Sequence, residues 1–250
     1  MIADIRTENY KLGRILSSGF KVYIEKFKDI AFVILIVYIP INTILSFIPV
    51  DPEGFKGFGL YLRVVQLLEL LIGTIATMAI AKIVECAVNG EQIDYSAALK
   101  FSLTRWGRGI AVEILAGLII FCMLLLLIVP GVIWAVYYSF GIFIVALRGI
   151  SGKEALDYSK RLVKGQWGRV FGIGLALGLL SMLAAFAVGL YAGFFLPEVQ
   201  VISILSDTMG DVIMVMFTVM SVVFFLNVDY LKPKPIEVLA PDTGLTNNVQ

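Results

Sequence analysis

Residues Ile114 to Leu147 read ILAGLIIFCMLLLLIVPGVIWAVYYSFGIFIVAL, without a single Asp, Glu, Lys or Arg. A second charge-free stretch extends from Val170 to Pro197. Apolar stretches longer than about 18–20 residues are typical of membrane-spanning helices. The first stretch holds about two crossings of a bilayer. The turn signal Pro130-Gly131 lies near its middle and predicts a tight helical hairpin there.

The composition of the whole chain agrees with this interpretation. Of its 250 residues, 59% are hydrophobic and 16% are charged. Soluble domains have about 45–50% apolar and about 25% charged residues, so a buried core alone does not account for the excess. The sequence therefore predicts an all-α polytopic membrane bundle with lipid as a second apolar solvent. Six spans are predicted: Ile30–Pro49, Gly59–Lys82, Gly109–Val129, Gly131–Leu147, Val170–Leu196 and Leu205–Val228.

The basic residues predict the orientation. Of the 20 Lys and Arg residues, all but Lys56 and Arg63 fall in the N-terminal segment, the second and fourth connections with their flanks, or the tail. Basic residues accumulate on the cytoplasmic side, so both termini are predicted to be cytoplasmic, in the cell membrane. Residues 1–231 are expected to form one membrane domain. Residues 232–250 lack periodicity and are expected to be a disordered tail.

Two cytoplasmic segments resemble each other and predict surface helices. Each has the pattern A-L-x-aromatic-S followed by W-G-R, beginning at Ala98 and at Ala155, and the second copy carries an insertion of about one helical turn. Residues 1–29 form an amphipathic stripe that is a candidate third copy. Amphipathic surface helices are thus predicted before spans one, three and five. True duplication explains the pattern. The alternative is that any cytoplasmic loop needs a basic amphipathic segment where it meets the bilayer. The expected interface anchors are Trp106, Arg108, Trp167 and Arg169.

The segment from Val129 to Gly174 also carries a family resemblance. It contains the pattern E-A-L-x-x-S-x-x-L-x-x-G, beginning at Glu154, after a proline-glycine pair and a span with an aromatic run. It resembles the multi-pass membrane domain found with glycerophosphoryl diester phosphodiesterases and related stand-alone prokaryotic membrane proteins of unknown function. The closing stretch Phe225–Tyr230 is also similar, whereas Arg148 stands where that family often has Glu. The resemblance implies a fold and a membrane location, but it says almost nothing about which activity the protein has.

Four acidic residues are candidates for intramembrane chemistry. Glu69 lies near the middle of span two, where an ionisable group is functional by default, with a protonated or hydrogen-bonded structural role as the alternative. Glu113 in span three is expected to reach the inner interface or to pair with Arg108 or Lys100. Asp207 and Asp211 share one face of span six and form either a cation or acid–base site or a solvated helix end.

Span five carries a continuous face of small residues, which predicts close helix packing inside the bundle or, alternatively, a dimer seam. The face comprises Gly174, Gly178, Ser181, Ala185, Gly189 and Gly193.

No catalytic, cofactor or metal motif stands out. The chain has no His, and its two Cys residues, Cys86 and Cys122, support neither a disulfide nor a zinc site. The basic residues are distributed as interface anchors, so no nucleic-acid partner is expected. The preferred hypothesis is a membrane module that organises lipid, another membrane protein or itself. The alternatives are a small transporter or channel that uses Glu69 and Asp207/Asp211, and a lipid-acting enzyme with Asp207 and Asp211 as its acids. Polar residues around an intramembrane cavity would favour transport, and a dry core would favour the module.

Overall fold

The computed structural model describes residues 3–48, 55–195 and 199–232, and these form helices without any strand. A short 3₁₀ helix, Ala3–Arg6, comes first. The α-helices are α1 Leu12–Glu25, α2 Phe27–Ser46, α3 Phe55–Leu68, α4 Thr74–Asn89, α5 Tyr95–Leu126, α6 Ile128–Tyr138, α7 Gly141–Arg148, α8 Gly152–Val163, α9 Trp167–Phe195 and α10 Gln200–Leu231. A π-helical turn, Glu69–Gly73, connects α3 to α4.

The all-α bundle with six spans is confirmed. Among the described residues, six helical stretches are long and apolar enough to cross a membrane, and their mean hydropathies lie between 2.0 and 2.6. They are Phe27–Ser46, Gly59–Asn89, Tyr95–Leu126, Ile128–Arg148, Trp167–Phe195 and Gln200–Leu231. Most extend beyond the predicted bounds, because the polar residues that flank each apolar stretch continue the same helix. The predicted tail, apart from Lys232, lies outside the described residues.

The hairpin between spans three and four is confirmed, with its break slightly before the predicted turn. Leu127 has an extended backbone, with φ −162° and ψ 144°, and separates α5 from α6. Pro130 lies in the first turn of α6, where a backbone N–H would have no partner within the helix. It could not lie within a continuation of α5, because its ring would clash with the carbonyl four residues earlier. A Cβ at Gly131 would collide with Leu124, so this glycine allows the two helices to approach closely.

The surface helices are only partly as predicted. Separate helices α1 and α8 precede spans one and five, but the segment before span three is the first part of the continuous helix α5. The insertion in the second copy explains the difference. It contains Gly165, whose φ of +88° ends α8, and the first copy has no residue in such a conformation between Ser102 and Trp106.

Helix α10 is the central element of the bundle. Its second half is buried almost continuously, and it packs against α1, α2, α4 and α9. In contrast, α5 and α9 have only 11% of their most apolar stretch buried, so they lie at the lipid-facing periphery. Asn227 of α10 donates hydrogen bonds to the carbonyls of Ile5 and Glu8, at 2.9 Å and 2.8 Å. The start of the described chain and the end of α10 therefore meet at one end of the bundle.

Candidate functional site: an acidic cavity among the spanning helices

A cavity of about 480 Å³ lies between α9 and the helices of the core, at the level of the spans. We call it the acidic cavity, because the carboxylates of Glu69 and Asp211 both line it. No Lys or Arg belongs to its lining, which consists wholly of described residues. The lining residues are Tyr38, Glu69, Thr77, Phe143, Gly174, Leu177, Gly178, Ser181, Asp211, Met214, Val215, Phe217, Thr218 and Ser221.

Asp211 is held in place by an amide from another helix. The Asn42 side chain on α2 donates to Asp211 Oδ2 at 2.8 Å and to Thr208 Oγ1 at 3.1 Å. Asn42 is buried, and the Thr208 hydroxyl in turn donates to the carbonyl of Ile204. Asn42 was not among the predicted site residues. An amide within an apolar span is the signal that could have identified it, because such a group needs a partner.

Glu69 begins the π-helical turn in span two. A Cβ at Gly73 would collide with its carboxylate, so the glycine leaves room for Glu69 to lie against its own helix. The Tyr38 hydroxyl donates to Glu69 Oε2 over 3.5 Å, and the indole N–H of Trp106 donates to the carbonyl of Leu71 within the turn. Such π turns occur frequently at functional sites. Glu69 thus has a hydrogen-bonding partner, as its structural role requires, and it also lines the acidic cavity.

Glu113 is placed differently from the prediction. It accepts a 2.8 Å hydrogen bond from the Thr74 hydroxyl on α4, and it pairs with neither Arg108 nor Lys100. Arg108 instead points towards the carbonyl of Gly149, at 3.4 Å. The reason is the direction in which α5 packs: its face that carries Glu113 is turned towards α4, so the nearest polar group is a hydroxyl of that helix. Glu113 does not line the acidic cavity.

Asp207 lies outside the acidic cavity, in a separate space near the N-terminal end of α10. This second cavity measures about 490 Å³ and is lined by Leu45, Ser46, Ile48, Tyr61, Gln200, Ser203 and Asp207. Asp207 and Asp211 are one helical turn apart, about 6 Å along the axis, but they face different cavities. The two carboxylates are thus close along α10 but belong to the linings of different cavities.

The small-residue face of α9 does not pack inside the bundle as predicted. A Cβ built at Gly174, Gly178, Gly189 or Gly193 would meet no atom within 4 Å. Helix α9 instead buries Val170, Ile173 and Leu177. Gly174, Gly178 and Ser181 line the acidic cavity, and Ala185 continues the same face. Because α9 is apolar on all sides, its sequence does not reveal which face turns inward.

The predicted interface anchors make specific contacts within the bundle. The indole N–H of Trp167 donates to the carbonyl of Ile133 at 3.4 Å, as that of Trp106 donates to the carbonyl of Leu71. In each pair the tryptophan follows its acceptor at nearly the same distance in the chain, by 34 and 35 residues, respectively. Arg169 donates to the carbonyl of Tyr10 at 2.9 Å and to Asn227 at 2.8 Å. It therefore fastens the N-terminal segment to α10.

A buried ionic network at the end of the bundle that carries the N-terminal segment was missed by the sequence analysis. Arg148 donates to Glu85 at 2.6 Å and to Asp229 at 2.7 Å and 3.0 Å. The side chains of Glu85 and Asp229 are 7% and 0% exposed, so both carboxylates depend on this one guanidinium for compensation, with Lys82 assisting Glu85 at 3.0 Å. The signal was present: Arg148 directly follows the long charge-free stretch, where a charge requires a partner.

Helix α8 is attached to the same network. The Tyr158 hydroxyl donates to Asp229 Oδ1 at 2.6 Å. Burial, followed by this hydrogen bond to a carboxylate, raises the pKa of Tyr158 above its ordinary value. Lys232 closes the arrangement by donating to the carbonyls of Arg161 and Lys164 at the end of α8, at 2.7 Å and 2.8 Å. The network thus connects α4, α7, α8 and α10 through side chains.

Comparisons of the chain with protein-family models, curated proteins and solved structures found no match. The function must therefore be argued from the site alone. Among the described residues, no three Cys, Asp or Glu side chains gather as a metal site would require. In the acidic cavity, two ionisable side chains from different spans line one accessible space.

Proposed function

We propose that the protein is a small transporter that binds a cationic solute in the acidic cavity. The observation that carries this proposal is the joint lining of one intramembrane cavity by Glu69 and Asp211. Ionisable groups at such depth are costly and mark ion or substrate pathways in membrane proteins. A cavity large enough for a small organic cation, lined by two carboxylates, supports transport over an inert module.

The chemistry of the lining favours a cation. The described lining contains two carboxylates but no Lys or Arg, so an anion would meet like charge without compensation. Hydroxyl groups of Tyr38, Thr218 and Ser221 add oxygen donors and acceptors around the same space. A bound cation would be balanced by the carboxylates and solvated by the hydroxyls, in place of its water shell.

The position of Asp207 adds an entry step to the same proposal. Asp207 lines the second cavity and Asp211 lines the acidic cavity, about one helical turn apart along α10. We propose that a cation enters at Asp207 and then passes to Asp211. Protons compete for these carboxylates, so cation binding should weaken as the pH falls.

Transport in proteoliposomes tests the proposal. The purified full chain is reconstituted, and uptake of radiolabelled Na⁺, K⁺ and tetramethylammonium is compared with protein-free liposomes. We expect flux of at least one of these cations, with a large loss in Glu69→Gln/Asp211→Asn. Arg108→Gln is a matched control, because it removes a charge outside the cavity. Wild-type flux of all three cations at the protein-free level, together with no saturable binding, would refute the proposal.

A second candidate is a membrane module that organises lipid, a partner or a second copy. The open glycine face of α9 favours it, because small residues permit close approach of another helix. Crosslinking of Gly189→Cys in membranes distinguishes the two. A specific crosslinked dimer without cation flux would support the module.

We also propose that the protein lies in the cell membrane with both termini in the cytoplasm. The distribution of Lys and Arg supports this orientation. Membership in the group with the phosphodiesterase-associated membrane domain remains a proposal, supported by the motif that begins at Glu154. Duplication of the hairpin unit is supported by the equivalent bonds of Trp106 and Trp167 to the preceding span.

A further inference from the structure

An apolar groove adjoins the acidic cavity along α9. It has a volume of about 370 Å³ and is lined mainly by hydrophobic side chains of α6, α7, α9 and α10. Residues that belong to the groove alone include Val132, Ala135, Val136 and Leu175. Residues that it shares with the acidic cavity are Phe143, Gly174, Leu177 and Ser221. The two spaces therefore meet at these four residues.

We infer that the solute is an amphipathic organic cation, with its ammonium head in the acidic cavity and its hydrocarbon chain in the apolar groove. This inference rests on the proposed cation site and adds the chemical class of its substrate. The site has two compartments, one with two carboxylates in its lining and one lined mainly by hydrophobic side chains. They meet at Gly174, which carries no side chain to separate them. A charged head and an apolar chain joined end to end match this arrangement.

Charge selects among the amphiphiles available to a membrane protein. Glu69 and Asp211 repel a phosphate or sulfate head, and no basic residue of the described lining offsets that repulsion. The groove, in turn, offers a chain contact with Val132, Ala135 and Leu175, which a small hydrophilic cation cannot use. Discrimination between an amphipathic and a small cation should therefore come from the groove alone.

Equilibrium dialysis tests this inference with the full chain in phosphatidylcholine nanodiscs, with binding to empty nanodiscs subtracted. The probes are octyltrimethylammonium, tetramethylammonium and octyl sulfate. We expect octyltrimethylammonium to bind about tenfold more tightly than tetramethylammonium, because its methylenes are buried in the groove. Octyl sulfate should show no saturable binding. Asp211→Asn should weaken both ammonium probes.

Variants of the groove separate its role from that of the acidic cavity. Ala135→Leu fills the groove and should abolish the advantage of the octyl chain, while tetramethylammonium binding stays unchanged. Val132→Phe, at a more exposed position of the groove, is a second variant should the first fail to fold. Gly172→Leu is the matched control on α9, because it lies outside both spaces and has open room for a side chain.

The outcomes are distinguishable. Binding of tetramethylammonium that depends on Asp211, without any gain from the octyl chain, would overturn this inference and leave the cation site intact. Octyl sulfate binding as tightly as octyltrimethylammonium would overturn it as well, because charge would then play no part. Absence of saturable binding of both ammonium probes would overturn the inference and the proposed function together.

Discussion

The amide of Asn42 on α2 donates a 2.8 Å hydrogen bond to the carboxylate of Asp211 on α10. This contact joins two spanning helices in the apolar region and fixes one of the two carboxylates of the acidic cavity. A polar pair of this kind is expensive to maintain in a membrane. Under the proposed function, this bond orients Asp211 for the cation as well as connecting the helices.

Removal of the Asn42 amide should destabilise the bundle. Asn42→Leu leaves Asp211 and Thr208 without their donor, and an unsatisfied buried polar group costs about 1–3 kcal/mol. The melting temperature in detergent should fall, and cation binding should weaken. Thr43→Val is the control, because the Thr43 hydroxyl is exposed and bonds only to Ile39 of its own helix. Equal melting temperatures for both variants would contradict the assigned contact.

Arg148 should be the most sensitive single residue for stability. Arg148→Met leaves the carboxylates of Glu85 and Asp229 buried without their main partner, which typically costs about 3–5 kcal/mol. Adding Asp229→Asn removes one of the stranded charges, so the double variant should regain part of the loss. Urea or thermal unfolding in detergent measures both. Arg108→Met, which loses only a 3.4 Å contact with a carbonyl, is the control.

Equal stabilities of Arg148→Met and Arg108→Met in these unfolding measurements would contradict the prediction. The buried network would then not stabilise the bundle.

Gly73 should position Glu69 without contributing much to stability. In Gly73→Ala the new methyl group occupies the place of the Glu69 carboxylate, and the flexible side chain must swing away. We expect reduced cation binding with nearly unchanged unfolding, since alanine also favours the helix by about 1 kcal/mol. Gly117→Ala, at a glycine with open space on α5, is the matched control for helix propensity. A strong loss of stability in Gly73→Ala, or full retention of cation binding, would contradict this role.

The glycine face of α9 provides a test that reverses the sequence-based expectation. If α9 packed closely through its small residues, as the sequence suggested, Gly178→Leu would destabilise the protein. The open space around Gly178 instead predicts a melting temperature close to that of the wild type. Gly178→Leu should nevertheless reduce cation binding, because its side chain enters the acidic cavity. Gly172→Leu should change neither property. Destabilisation by Gly178→Leu alone would restore the packing interpretation.

The number of spans and their helical type followed from the sequence, since apolar length is a local property. The charge-free stretch up to Leu147 and the Pro130-Gly131 signal located two spans and their hairpin, with the break only a few residues away at Leu127. Glu69 and Asp211 were recognised because ionisable residues stand out in apolar surroundings. These features need no knowledge of which helices are neighbours.

The partners of those residues could not be derived in the same way. Arg148 meets Glu85 and Asp229 across separations of 63 and 81 residues, and only the rotation of each helix decides that contact. The inward face of α9 was misassigned for a related reason. Its apolar residues surround the helix, so their periodicity does not show which face is turned towards the bundle. The end of α8 at Gly165 likewise depends on a single backbone conformation within the insertion.

Charge-selective thiol labelling tests the existence of an aqueous acidic cavity most directly. Thr218→Cys, with Cys86→Ala and Cys122→Ala, places one thiol in its lining. Methanethiosulfonate reagents that carry trimethylammonium or sulfonate are compared in membranes, with rates normalised to a free thiol. We predict a preference for the cationic reagent of about tenfold or more, because two carboxylates act at short range in a low-dielectric site. Glu69→Gln/Asp211→Asn should remove that preference. A thiol that neither reagent reaches, or equal rates for both reagents, would contradict the account.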